Sequence, residues 1–255
     1  IHVAHLHSFD PLREYLEGLT WDQQPRLHLL LKQYFGCIGD EALLAEIGKR
    51  WAISCVARAL QAGCKVDTVL CLQGAQGRKK STAIRVLAGD NWFSDSHLDI
   101  RSKEAYQLIH SSGVWIWELA ELQSLRTRDA ENVKMFLSSQ QDIDRKSYGR
   151  FPVQKKRRVV FAATTNPQVF LLDPTGSRRF WPCTVIQVQV DRLKADRDQI
   201  WAEAVQYFNQ GEHWWLEPTE QHNYPALLEY HQQQFTAKDP WTSTAQSMLD
   251  RSEGC

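Results

Sequence analysis

Net charge is missing from this chain: 30 Lys and Arg residues stand against 30 Asp and Glu. Overall charge therefore gives no sign of nucleic-acid binding, and any basic site has to be local. None of the six cysteines, Cys37, Cys55, Cys64, Cys71, Cys183 and Cys255, belongs to a C-x-x-C pair. That absence removes the zinc and disulfide frameworks, and reduced cysteines in apolar runs point to a cytoplasmic protein. No apolar run approaches membrane-spanning length and no signal-peptide pattern is present, so no membrane partner is expected. Internal repeats and low-complexity segments are absent as well. The first residue is Ile1 rather than Met, and the sequence is read as a fragment whose upstream part is missing.

What is present is a large apolar fraction, 43% of 255 residues, ample for the interior of one sizeable α/β domain. Residues 1–64 read as an N-terminal helical region. Pro11 sits at the first position of a helix that Ser8 or Asp10 could cap, and Leu27, Leu30, Leu31, Tyr34 and Phe35 are spaced for one helical face. Residues 65–190 alternate apolar strands with helices and form the core. Strands are expected at 66–73, 114–118, 158–163 and 180–190, and helices at 80–87 and 130–137. Residues 191–255 give a helix at 196–210 and a polar tail.

The most informative stretch is VLCLQGAQGRKKST at 69–82. A phosphate-binding loop is built this way: a buried strand, a Gly-rich turn with inward N–H groups, then a Lys and a hydroxyl residue opening a helix. Gly74, Lys80 and Ser81 fit G-x-x-x-x-G-K-[ST], while Lys79 stands where the second glycine belongs. Gln76, Gly77 and Thr82 complete the candidate nucleotide-binding set. Lys80 would neutralise the β- and γ-phosphates of ATP, and Ser81 would reach Mg²⁺. A second apolar strand ends at Glu118, a carboxylate able to hold magnesium or its water shell, and Glu121 could polarise the attacking water. A third ends at Asn166, whose amide could orient that water. Ligands of open α/β sheets bind at the carboxyl ends of strands, so the three tips could converge. Each part alone has an ordinary explanation: a turn, a solvated acidic face, an Asn-Pro bend, and surface charge at Arg178 and Arg179. Order and placement at strand ends favour function.

A local basic site is also present. Between Asp142 and Arg158 seven cations (Arg145, Lys146, Arg150, Lys155, Lys156, Arg157 and Arg158) face Asp142 and Asp144. A hairpin over 143–160, turning near Tyr148, Gly149 and Arg150, would present Lys146, Arg150, Lys155 and Lys156 to a phosphate backbone, with Tyr148 and Phe151 placed to stack on bases. The ordinary alternative is a charged hairpin kept soluble by its lysines.

Beyond these parts, ordered blocks along nearly the whole chain resemble the virulence-associated protein E family, phage- and island-borne proteins related to superfamily 3 helicases. The blocks are YLEGLTWD at 15–22, CVARALQAGCKVDTVLCLQGAQG at 55–77, LAGDNWFSD at 87–95, WIWELAEL at 115–122, DRKSYGR at 144–150, FAATTNP at 161–167, LLDPTGSRRFWP at 171–182 and WAEAVQYFNQGEHWWL at 201–216. The resemblance implies an AAA+-like P-loop NTPase core, a parallel sheet flanked by helices. It implies an oligomeric ring acting on DNA, single-stranded by expectation, in replication of a mobile element. Within it Lys80 and Ser81 are the phosphate and magnesium residues, Glu118 and Glu121 the acidic pair, and Asn166 the polar sensor. Arg178 or Arg179 is the arginine finger toward a neighbouring subunit. A primase-like region often lies upstream in such proteins. The family's loop usually carries Gly at the position of Lys79.

Three functional readings follow. The first is an ATP-hydrolysing DNA helicase or translocase. A second is a nucleic-acid-binding scaffold whose altered loop no longer hydrolyses ATP. The third is a small-molecule P-loop kinase, which the basic hairpin and the Thr-Thr-Asn strand end fit poorly.

Overall fold

The computed structural model describes residues 9–100, 102–120, 130–144, 153–171 and 177–237. Its chain order begins with helix α1 (Pro11–Glu17), a 3₁₀ turn with a π turn over Leu27–Tyr34, and strand β1 (Cys37–Ile38). Then come α2 (Glu41–Leu60), β2 (Val69–Gln73), α3 (Lys80–Ala88), β3 (Phe93–Ser94), α4 (Lys103–Ser112) and β4 (Ile116–Ala120). The second half holds α5 (Ala130–Ser138), β5 (Gln141–Asp144), β6 (Val153–Lys156), β7 (Val160–Thr165), β8 (Phe180–Val185), α6 (Val190–Asn209) and α7 (Tyr224–Gln232).

Local chemistry explains the helix starts. Asp10 accepts the Arg13 amide at 3.1 Å with Pro11 at the first helical position of α1, and Asp40 accepts the Leu43 amide at 2.8 Å to open α2. Ser102 and Asn223 cap α4 and α7 in the same way. Only part of residues 8–64 is helical: β1 interrupts the region because Cys37 pairs with Val185 of β8. A short helix, α7, occupies part of what reads in the sequence as a polar tail. Pro225 at its start and Asn223 as its cap set it up locally, and Leu228, His231 and Gln232 make up its buried side.

Six strands form one sheet in the order β1-β8-β2-β7-β4-β3, parallel throughout except for β1. All five residues of β2 are buried, as a central parallel strand requires. Alternation divides its side chains between two packed faces. Leu70 and Leu72 join a cluster built with α2, α3 and α6, through Trp51, Ile84 and Trp201. Val69 and Cys71 join a second cluster with Ile109 of α4 and Phe136 of α5. The first cluster runs from Leu12 to Leu228, so the N- and C-terminal helices share one core with the sheet. Cys37, Cys55, Cys64, Cys71 and Cys183 are buried free thiols, as their apolar surroundings predict. Among the described residues no helix is long and apolar enough to cross a membrane.

The chain leaves β2 toward the far edge, returns through β4 and β7, and crosses over to β8 on the other side. The carboxyl ends of β2, β7 and β4 are thus adjacent at the reversal in strand order, where open α/β sheets bind ligands.

Candidate functional site

The loop after β2 begins at Gly74, whose amide donates to the Thr165 carbonyl at 3.1 Å. Its φ is +154°, and a Cβ there would stand 2.5 Å from the Val185 carbonyl oxygen of β8. A side chain at this position would push the loop off the sheet, so glycine is required by a close approach. Gln76, Gly77, Lys79, Ser81 and Thr82 are exposed around the loop. The helix α3 opens at Lys80, and no side chain caps it. By the geometry of any helix start, the amides of Lys80, Ser81 and Thr82 lack intrahelical partners, leaving donors and a positive dipole end for an anion.

Lys79 has φ +64° and ψ 26°, in the left-handed region. Glycine adopts that conformation freely; for lysine it costs about 1–2 kcal/mol. The departure from the loop pattern therefore falls at a backbone position with a physical demand for glycine, and the chain adopts the demanded conformation regardless.

Lys80 is only 6% exposed. Its amine folds back over the loop and donates to the carbonyls of Gly74 at 2.5 Å and Ala75 at 3.1 Å, and to Oδ1 of Asn166 at 3.0 Å. Burial lowers its pKa; the nearby Glu118 carboxylate opposes that shift, and Arg78 adds to it. Asn166, itself exposed, follows the last residue of β7, and its backbone carbonyl accepts from Nε2 of Gln73 at 3.1 Å. Lys80 and Asn166 are thus brought together from two strand tips.

Glu118 comes from the third. It does not end its strand, since β4 continues to Ala120; pairing of Glu118 with Ala162 and of Ala120 with Thr164 carries the ladder on. Its carboxylate is 2% exposed. Oε1 accepts from the Ser81 hydroxyl at 2.7 Å and from the Thr164 hydroxyl at 2.5 Å. Oε2 is buried without a hydrogen-bond partner among the described residues. An orphaned carboxylate oxygen beside a serine hydroxyl is a hard oxygen donor set, the kind Mg²⁺ takes up together with water and substrate phosphates. These residues fit such an ion.

Residues 16–237 match the family model of the virulence-associated protein E-like domain. The chain belongs to this family. The virulence-associated protein E-like fold also superposes on the apo structure of the NrS-1 C terminal region (305-718). That match has a TM-score of 0.53 at 15% identity, covering 77% of this chain and 49% of that one. The A form apo structure of the same region gives 0.53 at 14%, covering 78% and 49%. This chain spans about half the length of those structures. At such identities the likeness speaks for the fold alone. No curated protein matches the chain.

Not every residue singled out from the sequence joins this site of the virulence-associated protein E-like domain. Arg178 and Arg179 close the turn before β8, and Phe180 lies opposite Val69 at the start of β2. They stand at the opposite end of the sheet, roughly 15 Å of strand from the loop. Arg178 is exposed, while Arg179 contacts Ser138 at 3.2 Å and Asp67 at 3.6 Å. Glu121, Lys146, Tyr148 and Arg150 lie outside the described residues.

The basic segment does form an antiparallel pair, β5 with β6, in register Asp142 to Lys155. Its charge is distributed differently from the seven-to-two count. Arg157 is fully buried in a two-pronged ion pair with Asp142, one contact at 2.9 Å, and also donates to the Phe136 carbonyl. Arg158 reaches Asp10 at 2.8 Å and the Ala59 carbonyl at 2.8 Å. Both arginines hold structure, so they cannot count as free surface charge. Lys156 is exposed and Lys155 half-buried. Two site residues, Thr164 and Gln73, escape sequence reading. Their only local signal is a polar side chain next to a buried strand end.

Proposed function

We propose that this chain is an ATP-hydrolysing P-loop module of the AAA+ type, working as a DNA helicase or translocase in replication of a phage or other mobile element. The observation that carries the reading is the convergence of Lys80, Asn166, Ser81 and Glu118 through hydrogen bonds at the carboxyl ends of three adjacent parallel strands. Those groups supply what phosphoryl transfer to water needs: a cation and helix amides for the phosphates, a hydroxyl and a carboxylate for Mg²⁺, and an amide to sense the γ-phosphate. Magnesium when bound would neutralise charge developing on the phosphates. Lys80 would exchange its loop carbonyls for phosphate oxygens, and Asn166, freed from the amine, would turn to the attacking water. Similarity to the NrS-1 C terminal region adds support at the level of fold. An arginine at position 178 or 179 can serve only a neighbouring subunit's nucleotide, which fits a ring.

The second reading is a non-hydrolysing nucleic-acid scaffold, favoured by the strained Lys79. ATP turnover by the purified chain, with and without single-stranded DNA, separates the two. Turnover that needs Mg²⁺ and falls at least a hundredfold in Lys80→Ala and in Glu118→Gln is expected. DNA binding with no turnover, and no ATP-induced thermal shift in magnesium, would leave the scaffold.

A further inference from the structure

The sheet's other end carries a groove of about 1000 Å³, far from the phosphate loop. Its walls come from the segment before β2, the turn before β8, the residues after α6, and α7. Lys65 and Arg178 are exposed on it. Asp67 is matched by Arg179 at 3.6 Å, leaving Glu229 as the remaining acid of the lining. Two tryptophans, Trp214 and Trp215, form one side. Trp215 is 44% exposed although it is a large apolar ring. His213 stacks on one of its faces, 4.2 Å away and 16° from parallel, and Trp214 meets it edge-on at 5.4 Å. The ring is therefore braced, and a braced, exposed indole beside cations matches a nucleobase and its phosphate.

The groove is linked through the backbone to the base of the β5–β6 hairpin, whose Lys155 and Lys156 line a separate cavity. The Trp214 indole donates to the Lys65 carbonyl at 2.8 Å. Two residues earlier, the Gly63 amide donates to the Arg157 carbonyl at 2.9 Å, and the Lys156 side chain packs against Gly63 so closely that a Cβ there would stand 3.2 Å from Cγ of Lys156. A run of three residues thus links the hairpin lysines to the tryptophan wall. Lys65 and Arg178 are the cations of the groove itself besides the paired Arg179.

We propose that this groove binds single-stranded DNA, with Trp215 stacking on a base and Lys65 neutralising a phosphate, as a second contact beyond the hairpin. The proposal rests on reading the chain as a nucleic-acid-binding protein, though not on ATP hydrolysis. The connection through residues 63–65 to the basic hairpin favours a strand of DNA over a neighbour's nucleotide as the occupant.

The test is fluorescence anisotropy of a labelled oligothymidylate across a salt series, with DNA-independent ATP turnover measured in parallel. Trp215→Ala should weaken binding about tenfold and Trp215→Phe should restore most of it, as a stacking role requires. Lys65→Ala should lower the salt slope by about 0.7, the amount expected for one phosphate contact on a single strand. ATP turnover without DNA should be unchanged in all three variants. Unchanged affinity and slope in Trp215→Ala and Lys65→Ala would overturn the proposal, as would absence of DNA binding by the native chain. Intact DNA affinity with lost turnover would make the groove a subunit face and overturn it equally. Groove-dependent DNA binding in a chain without ATPase activity would sink the motor reading and leave the groove standing.

Discussion

Lys79 shows how much a single backbone angle governs in the glycine-rich loop after β2. The sequence departs from its pattern at one residue, and that residue sits at φ +64°. Lysine there carries left-handed strain, but it also limits the unfolded chain more than glycine would. The two effects partly offset, so Lys79→Gly should raise stability by about 0.5–1 kcal/mol. Urea denaturation followed by tryptophan fluorescence measures it, and a loss of stability would mean that the lysine makes a compensating contact. The glycine-rich turn and its departure at Lys79 were legible in the sequence. The orphaned oxygen of Glu118 was not, because burial to 2% depends on strands far apart in the chain.

At the scale of elements, β7 joins the two ends of the sheet. Its last residue, Thr165, precedes the Asn166 amide that meets Lys80, and its first residues follow the buried Arg157. Arg58 of α2, fully buried, donates to the carbonyls of Arg157, Val66 and Ser139, and burial lowers its pKa to about 10 with Arg157 adding to the shift and Cys64, Asp142 and Asp67 opposing it. The hairpin base is thus locked by Arg157–Asp142 and braced by Arg58. Asp142→Ala leaves a buried guanidinium without its carboxylate and should cost about 3–5 kcal/mol. Lys156→Ala, on the exposed side of the same hairpin, should stay within about 0.5 kcal/mol. Chemical denaturation of both variants checks the contrast, and equal effects would refute the lock. Counting charges between 142 and 158 could not separate these residues, since a buried arginine and a surface lysine look alike in a basic run.

For the whole molecule, the decisive fact is that Arg178 and the loop after β2 occupy opposite ends of one sheet. No motion within a folded subunit unites them, so a role for Arg178 in hydrolysis demands a neighbour. Mixing native chain with Lys80→Ala chain should then depress ATP turnover more steeply than the native fraction falls, because each dead subunit also disturbs the next. Light scattering with a non-hydrolysable ATP analogue and DNA should report an oligomer. A linear decline together with a monomer would remove the arginine from the chemistry.

The sequence by itself determined the local pieces. The apolar run of β2, the glycine turn, Lys80 and Ser81, the caps at Asp10 and Asp40, and the family blocks are all set by residues near one another in the chain. Periodicity and turn chemistry act over that range. Tertiary structure decided everything that depends on strand order. It set Thr164 beside Glu118, paired β1 with β8, buried Arg157 on Asp142, and placed Arg178 on the same groove as Trp215, away from Lys80. These are contacts between distant segments, fixed by how the sheet's two faces bury their side chains, and no short window of sequence contains them.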